Sequence, residues 1–114
     1  MREALPDNPD YPVVITDENI EEAVAKYPLL VVDCWAEWCG PCKMIGPIIK
    51  NLALSQKGDM VFGKLDVESN NGTPGKFNVR SIPNLIVFKG GNKVGDIIGA
   101  MPEDQLLERI NALK

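Results

Sequence analysis

Apolar and polar positions follow two different periods along this chain. Residues 29–35 are apolar at every position except Asp33, which is typical of a strand that is covered on both faces of a sheet. Residues 44–53 and 106–113 repeat apolar side chains every three or four positions, which predicts amphipathic helices. The chain is therefore expected to combine buried strands with helices that pack against them.

Proline, glycine and capping residues set the limits of these elements. The predicted order is a strand at 13–15, a helix capped by Thr16 or Asp17 and ended by Pro28, a strand at 29–35, a helix from the Cys39–Cys42 turn to about Lys57, a strand at 60–67, a helical turn near 73–77, strands at 84–89 and 93–98, and a helix from Pro102 onward. This order predicts an α/β fold, with a central mixed sheet of about five strands and helices on both faces.

Length and composition narrow the class of protein. The 114 residues suit one domain, at 13–114, preceded by a proline-containing extended tail at 1–12. A formal charge of −4 argues against nucleic-acid and polybasic membrane contacts. No apolar run reaches the roughly 18 residues of a membrane helix, and the N-terminal residues lack an apolar signal core. We therefore expect a protein of the reducing cytoplasm.

Cys39 and Cys42 are the residues with the most evident chemistry. The predicted helix begins at Cys39, where free backbone N–H groups and the helix dipole favour a thiolate, while Cys42 lies one turn deeper. We therefore expect Cys39 to be exposed and Cys42 to be shielded from solvent. This arrangement suits thiol–disulfide exchange, with Cys39 attacking and Cys42 resolving. A structural thiol pair or half of a metal clip is the alternative. The chain has no histidine, and only Cys34 remains to complete a zinc site.

Asp33 and Cys34 lie side by side in the most apolar strand and point to opposite faces. Burial would raise the pKa of the Asp33 carboxyl and suit it to exchange protons near neutral pH. The alternative for Asp33 is an acid linked to solvent at a strand end. For Cys34 a small core residue is favoured over a regulatory third thiol, since free cysteine is among the most buried residue types.

Two segments resemble signatures of the thioredoxin family: Asp33-Cys34-Trp35-Ala36-Glu37-Trp38-Cys39-Gly40-Pro41-Cys42-Lys43 and Ile82-Pro83-Asn84. The resemblance extends from about residue 13 to the C-terminus. It implies a thioredoxin fold and a protein-disulfide reductase that acts on disulfide-containing target proteins and contributes to cell redox homeostasis. It also implies recharging by thioredoxin reductase. Cys34 departs from the family pattern, in which an aromatic residue is common.

The same resemblance implies further site residues. Asp33 would lie beneath Cys42, and Lys64 would be its buried partner; an edge lysine that reaches to water is the alternative for Lys64. The Ile82–Pro83 bond would be cis, although an X-Pro bond is cis in only about 5–6% of cases. A strand-start proline is the alternative. The implied target groove consists of Trp38, Gly40, Pro41, Ile82, Pro83, Gly99 and Ala100.

Other functions remain open at this point. A disulfide oxidase or isomerase would use the same thiols, but the Gly40-Pro41 pair is typical of reductants in the family. The fold could also serve as a binding subunit of a larger enzyme. No Gly-x-Gly-x-x-Gly pattern for a nucleotide coenzyme is present. We expect a monomer that needs neither a bound cofactor nor a metal.

Overall fold

A computed structural model of the chain describes residues 4–114, so expectations for residues 1–3 lie outside the described part. The predicted order of strands and helices is confirmed. The elements are β1 (Val13–Val14), α1 (Ile20–Lys26), β2 (Leu29–Trp35), α2 (Gly40–Ser55), β3 (Val61–Asp66), α3 (Gly72–Lys76), β4 (Asn84–Lys89), β5 (Asn92–Ile98) and α4 (Glu103–Leu113). The helix α2 ends at Ser55, slightly before the expected Lys57, and Gly58 follows with a φ of 88° that suits glycine.

The strands of residues 4–114 form one mixed sheet in the order β1-β3-β2-β4-β5. The strand β3 runs parallel to both β1 and β2, whereas β4 is antiparallel to β2 and β5. Because β3 is flanked on both sides, Lys64 does not lie on an edge strand, so the edge position is wrong. The Lys64 side chain is half-buried, however, and not buried as the resemblance implies. In the register, Lys64 lies beside Asp33.

Each face of the sheet carries its own hydrophobic core. On one face, Val31 packs with side chains of α2 and α4, among them Ile49 and Leu106. On the other face, Leu30 and Val32 pack with residues of β1 and α1. Since β2 is central and both its faces are covered, its sequence is apolar throughout except at Asp33.

The described part of the predicted tail, residues 4–12, contains no helix or strand, yet it lies against the domain. Leu5 is buried within the core that contains β1 and α1. The Tyr27 hydroxyl donates a hydrogen bond to the Pro6 carbonyl, and the Lys26 ammonium lies 2.7 Å from the Asp7 carboxylate. These contacts attach the segment to α1, while a domain boundary at residue 12 stays a prediction.

Asp17 caps a different helix from the one expected. At the start of α1, Thr16 and Asn19 exchange hydrogen bonds between backbone and side chain. The Asp17 carboxylate instead accepts hydrogen bonds from the Gly72 and Thr73 N–H groups at 3.0 and 2.8 Å, and from the Thr73 hydroxyl. Although burial acts to raise it, these hydrogen bonds hold the pKa of Asp17 below its ordinary value. Asp17 therefore ties the loop before α1 to α3.

We predict that Asp17→Ala destabilises the protein by roughly 1–2 kcal/mol, because it leaves the α3 N–H groups without their cap. Since the pKa of Asp17 is lowered by folding, its contribution is present above the ordinary value of 3.8 and is lost as the pH falls below it. Urea unfolding at pH 7 and pH 3 measures both effects. Asp10→Ala is the control for loss of an exposed aspartate, and equal stability of the two variants at pH 7 would contradict the assignment.

Candidate active site

The two cysteines lie where β2 passes into α2. Cys39 is the N-cap of α2, and its sulfur accepts a hydrogen bond of 3.1 Å from the Cys42 N–H. The sulfurs of Cys39 and Cys42 are joined in a disulfide. The first turn of α2 contains no acidic residue, so its N–H groups and dipole are free to stabilise negative charge on Cys39 after reduction.

The expectation that Cys39 is exposed and only Cys42 shielded is wrong for the disulfide form. Cys39 is 3% exposed and Cys42 is 4% exposed. Both sulfur-bearing residues pack in one cluster with Ala36, and Trp35 and Ile82 lie against it. In the disulfide form, Cys39 and Cys42 therefore differ in their neighbours rather than in their exposure.

Asp33 is a buried carboxyl group with no hydrogen-bond partner among residues 4–114. It is 1% exposed, and both of its oxygens are unpaired. Burial raises the pKa of Asp33 to about 7. The positive charge of Lys64 lowers this pKa, but its effect is smaller than that of burial. The alternative of a solvent-linked acid at a strand end is therefore wrong, since Asp33 lies within β2 and is only 1% exposed.

Asp33, Cys42 and Lys64 line one cleft of about 660 Å³. Trp35 also lines it, and the Lys64 ammonium lies 4.8 Å from the centre of the Trp35 ring. This cation–π contact holds the Lys64 charge on the face of the sheet that carries Asp33. The predicted association of Asp33 with Cys42 thus has a physical basis, because both groups open into the same space, whereas Cys39 does not line it.

The residues predicted to bind targets come together around the disulfide. The Ile82–Pro83 bond is cis, as the resemblance implies, and Ile82 packs against the cysteine cluster. The Gly99 N–H donates a hydrogen bond of 2.9 Å to the Pro83 carbonyl, which brings the loop after β5 to the loop before β4. Trp38 is 69% exposed and lines a second cleft with Ile82. Gly40 and Pro41 form the first turn of α2, and Ala100 follows Gly99.

Cys34 takes no part in this arrangement. It is fully buried on the opposite face of β2 from Asp33, among Val32, Leu65 and Ile86. Burial, reinforced by the charges of Asp33 and Asp96, raises the pKa of its thiol to about 12. The prediction that Cys34 is a small core residue is confirmed, because a buried thiol with so high a pKa does not react readily.

Sequence reasoning missed one residue that positions the site. The Glu68 carboxylate accepts a hydrogen bond from the Trp38 indole N–H, which anchors an exposed ring beside Cys39. Glu68 follows β3, and nothing in its local sequence indicates this contact.

Residues 4–114 contain no group of three or more His, Cys, Asp or Glu that could hold a metal ion. None of the helices in this range is long and apolar enough to cross a membrane.

The fold and the site together define a thiol–disulfide oxidoreductase. A sequence profile described as Thioredoxin matches residues 11–112. Thioredoxin from Staphylococcus haemolyticus is 46% identical over 96 residues, which cover 84% of this chain and 91% of that protein. Thioredoxin from Pseudomonas aeruginosa is 43% identical over 102 residues, which cover 88% of this chain and 94% of that protein.

A solved structure of a mutant thioredoxin from Halobacterium salinarum matches the fold with a TM-score of 0.84 and 29% identity, over 92% of both chains. This chain belongs to the thioredoxin family. It is a protein-disulfide reductase that acts on disulfide-containing targets through a redox-active cysteine pair. The alternatives of a binding subunit, an oxidase or an isomerase are not favoured.

We predict that Asp33→Asn stabilises the oxidised protein increasingly as the pH rises. Because folding raises the pKa of Asp33 from 3.8 to about 7, the folded wild type binds the extra proton between these values and loses stability as the pH rises through them. Three pH units correspond to about 4 kcal/mol, so the variant gains up to about 4 kcal/mol above pH 8 and little at pH 4. Urea unfolding from pH 4 to 9 measures the difference, with Asp10→Asn as the surface control. A gain that does not change with pH would contradict the assignment.

Proposed function

We propose that this chain reduces target disulfides by attack of Cys39 and resolution by Cys42, with Asp33 as the proton acceptor for Cys42. The observation that carries the proposal is the division of neighbours between the two cysteines. Cys39 is the N-cap of α2, whereas Cys42 lines the cleft that contains the unpaired carboxyl of Asp33. An anion is favoured at the first position and a proton acceptor is available at the second.

In the first step, the Cys39 thiolate of the reduced protein attacks one sulfur of the target disulfide. The target S–S bond breaks, a mixed disulfide forms between Cys39 and the target, and the released target thiolate takes a proton from solvent. The hydrogen bond from the Cys42 N–H to the Cys39 sulfur and the dipole of α2 favour the attacking thiolate. Pro41 has no N–H to contribute, which limits this stabilisation and fits a reductant.

In the second step, Cys42 gives its proton to the Asp33 carboxylate and attacks the Cys39 sulfur. The mixed disulfide breaks, the Cys39–Cys42 disulfide forms, and the target leaves with both of its sulfurs reduced. Two electrons have then passed from this chain to the target. A base with a pKa of about 7 suits this step, because about half of it is ionised at neutral pH and the carboxylate still holds a proton strongly. Lys64 lowers the pKa of Asp33 and so sets the pH at which the base is available.

We also propose that Trp38, Gly40, Pro41, Ile82, Pro83, Gly99 and Ala100 form the surface that receives the target. Small and apolar residues surround the disulfide, and the Ile82 backbone precedes a strand, where an extended target segment can pair with it. Glu68 holds the exposed Trp38 ring at the border of this surface. Such a rim accepts many different disulfide-bearing segments, which suits a reductase of broad range.

Thioredoxin reductase is the proposed source of electrons for the oxidised chain. The exchange chemistry consumes one dithiol for each target, so a renewable two-electron donor is required. We place the protein in a reducing compartment, the cytoplasm, where the dithiol form is maintained and serves cell redox homeostasis. We further propose that it acts as a monomer, since one chain contains both cysteines and Asp33.

We predict that Cys39→Ser abolishes the reduction of a disulfide protein such as insulin with dithiothreitol as donor, because no attacking thiol remains. Cys42→Ser should instead accumulate a mixed disulfide between Cys39 and the target, visible on a non-reducing gel and by mass. Cys34→Ala is the matched control for loss of a thiol and retains activity. Activity of Cys39→Ser equal to that of the wild type, or rapid release of target by Cys42→Ser, would refute the assignment of the two thiols.

We predict that the rate of target release follows the ionisation of Asp33. In the wild type the rate rises with pH through about 7, because the carboxylate is the form that accepts the Cys42 proton. In Asp33→Asn this rise is absent and release at pH 7 is slower by about tenfold or more. Lys64→Met moves the rise to higher pH, since removal of the positive charge raises the pKa of Asp33. Stopped-flow tryptophan fluorescence from pH 5 to 9 records the step, and superimposable profiles for all three proteins would exclude the base.

A further inference from the structure

An apolar pocket of about 300 Å³ lies between α2 and the loop that leads into α4. Its lining residues are Met44, Ile48, Ala100, Met101 and Pro102, and we call it the α2–α4 pocket. None of the described residues that line it carries a charge. A side chain that enters this space therefore loses contact with water without gaining an ionic partner, which favours an apolar occupant.

The α2–α4 pocket adjoins the surface proposed above to receive the target, with which it shares Ala100. Ala100 follows Gly99, whose N–H is bonded to the Pro83 carbonyl beside the cysteine cluster. On the other side, Met44 comes five residues after Cys39 on α2, about 7.5 Å along the helix axis. An extended peptide covers that distance in two or three residues. A target held at Cys39 can thus place a neighbouring side chain in the pocket.

The pocket differs from the cleft that Trp38 and Ile82 share, because it lies over the other face of the sheet. The Trp38–Ile82 cleft includes Asn71 and Pro74, beside α3, whereas the α2–α4 pocket lies over the face that α2 and α4 cover. Trp38 of the first cleft precedes Cys39 by one residue, and Met44 of the α2–α4 pocket follows it by five. A target attached at Cys39 that reaches both cavities is held on each side of the reacting sulfur. This arrangement gives selectivity among targets that a single cleft does not provide.

Exposure of a large apolar side chain does not by itself indicate a binding site. Two exposed apolar residues of α2, Met44 and Leu54, illustrate the difference. Met44 is 71% exposed and Leu54 is 61% exposed, both on α2. Leu54 does not line the α2–α4 pocket, whereas Met44 lines it together with Ile48 and Met101. Methionine is flexible and polarisable, so two methionines in one wall adapt to apolar side chains of different shape.

We infer that the α2–α4 pocket is a specificity subsite for an aliphatic or aromatic side chain of the disulfide-bearing segment of a target protein. The inference rests on the proposed function, since it requires the target to be attached at Cys39. Within that mechanism, the pocket sets which targets react well, through binding that lies outside the disulfide itself. A target with an apolar residue near its reactive cysteine is favoured over one with a polar residue there.

The direct test uses the mixed disulfide that Cys42→Ser forms with a peptide. Peptides with leucine or serine at each position within three residues of their cysteine are attached in turn, and the methionine methyl groups are observed by ¹³C NMR. At one position, leucine should shift the Met44 and Met101 signals, whereas serine should not. Met60 is buried at the far end of β3 and is the internal control. If the conjugates form but no leucine shifts Met44 or Met101, the subsite is refuted and the attack by Cys39 stands. If no conjugate forms at Cys39, the proposed function fails and the subsite with it.

A kinetic test measures selectivity itself. With cyclic disulfide peptides, the wild type should show kcat/KM roughly tenfold higher for leucine than for serine at the favoured position. Met44→Gln should bring this ratio close to one, and Leu54→Gln, the matched exposed position on α2, should retain it. An unchanged ratio in Met44→Gln would overturn the inference. Sedimentation gives a second outcome that would overturn the inference: a wild-type dimer that Met44→Gln dissociates, with no change in the kcat/KM ratio. The pocket would then bind a second copy of this chain rather than a target.

Discussion

The burial of the Asp33 carboxyl in the central strand is the constraint around which the rest of the structure is arranged. The strand β2 is paired on both sides, so Asp33 lies between Lys64 and Leu85 and has no route to the sheet edge. A shift of register by one residue would exchange it with Cys34 and place the carboxyl in the opposite core. The same burial that disfavours its charge gives it a pKa of about 7. The fold thus accepts a loss of stability at neutral pH, and we propose that the buried carboxyl serves as the proton acceptor for Cys42.

The site follows from how α2 begins immediately after β2. Cys39 caps the helix while Cys42, one turn later, opens into the cleft of Asp33, so two chemically identical side chains have different surroundings. These surroundings are the basis of the different roles that we propose for them. Cys34 shows the contrast, since the same side chain on the other face of β2 is enclosed and has a pKa of about 12. Position relative to a helix end and a buried acid, rather than residue type, determines which thiol reacts.

Many of the helices and strands, and the burial of Asp33, could be predicted from the sequence because the sequence patterns that indicate them are local. The apolar run 29–35, the helical period of α2 and the glycines between β4 and β5 indicate their elements directly, and burial of Asp33 follows from its neighbours. Contacts between distant segments could not be predicted in this way. Asp17 caps α3 across 55 residues, and Glu68 anchors Trp38 across 30. The place of β3 inside the sheet, which decides the surroundings of Lys64, and the burial of Cys39 also depend on tertiary packing.

The proposed transfer of the Cys42 proton depends most directly on the ionisation of the Asp33 carboxyl group. A ¹³C NMR titration of the aspartate side-chain carboxyls in the oxidised protein, with Asp33 assigned by comparison with Asp33→Asn, measures it without interference from free Cys39 or Cys42 thiols. We expect the Asp33 signal to titrate with a midpoint near pH 7, well above those of the exposed aspartates. A midpoint near 3.8 would contradict the account, because Asp33 would then be an ordinary solvated acid with no means of holding the proton of Cys42.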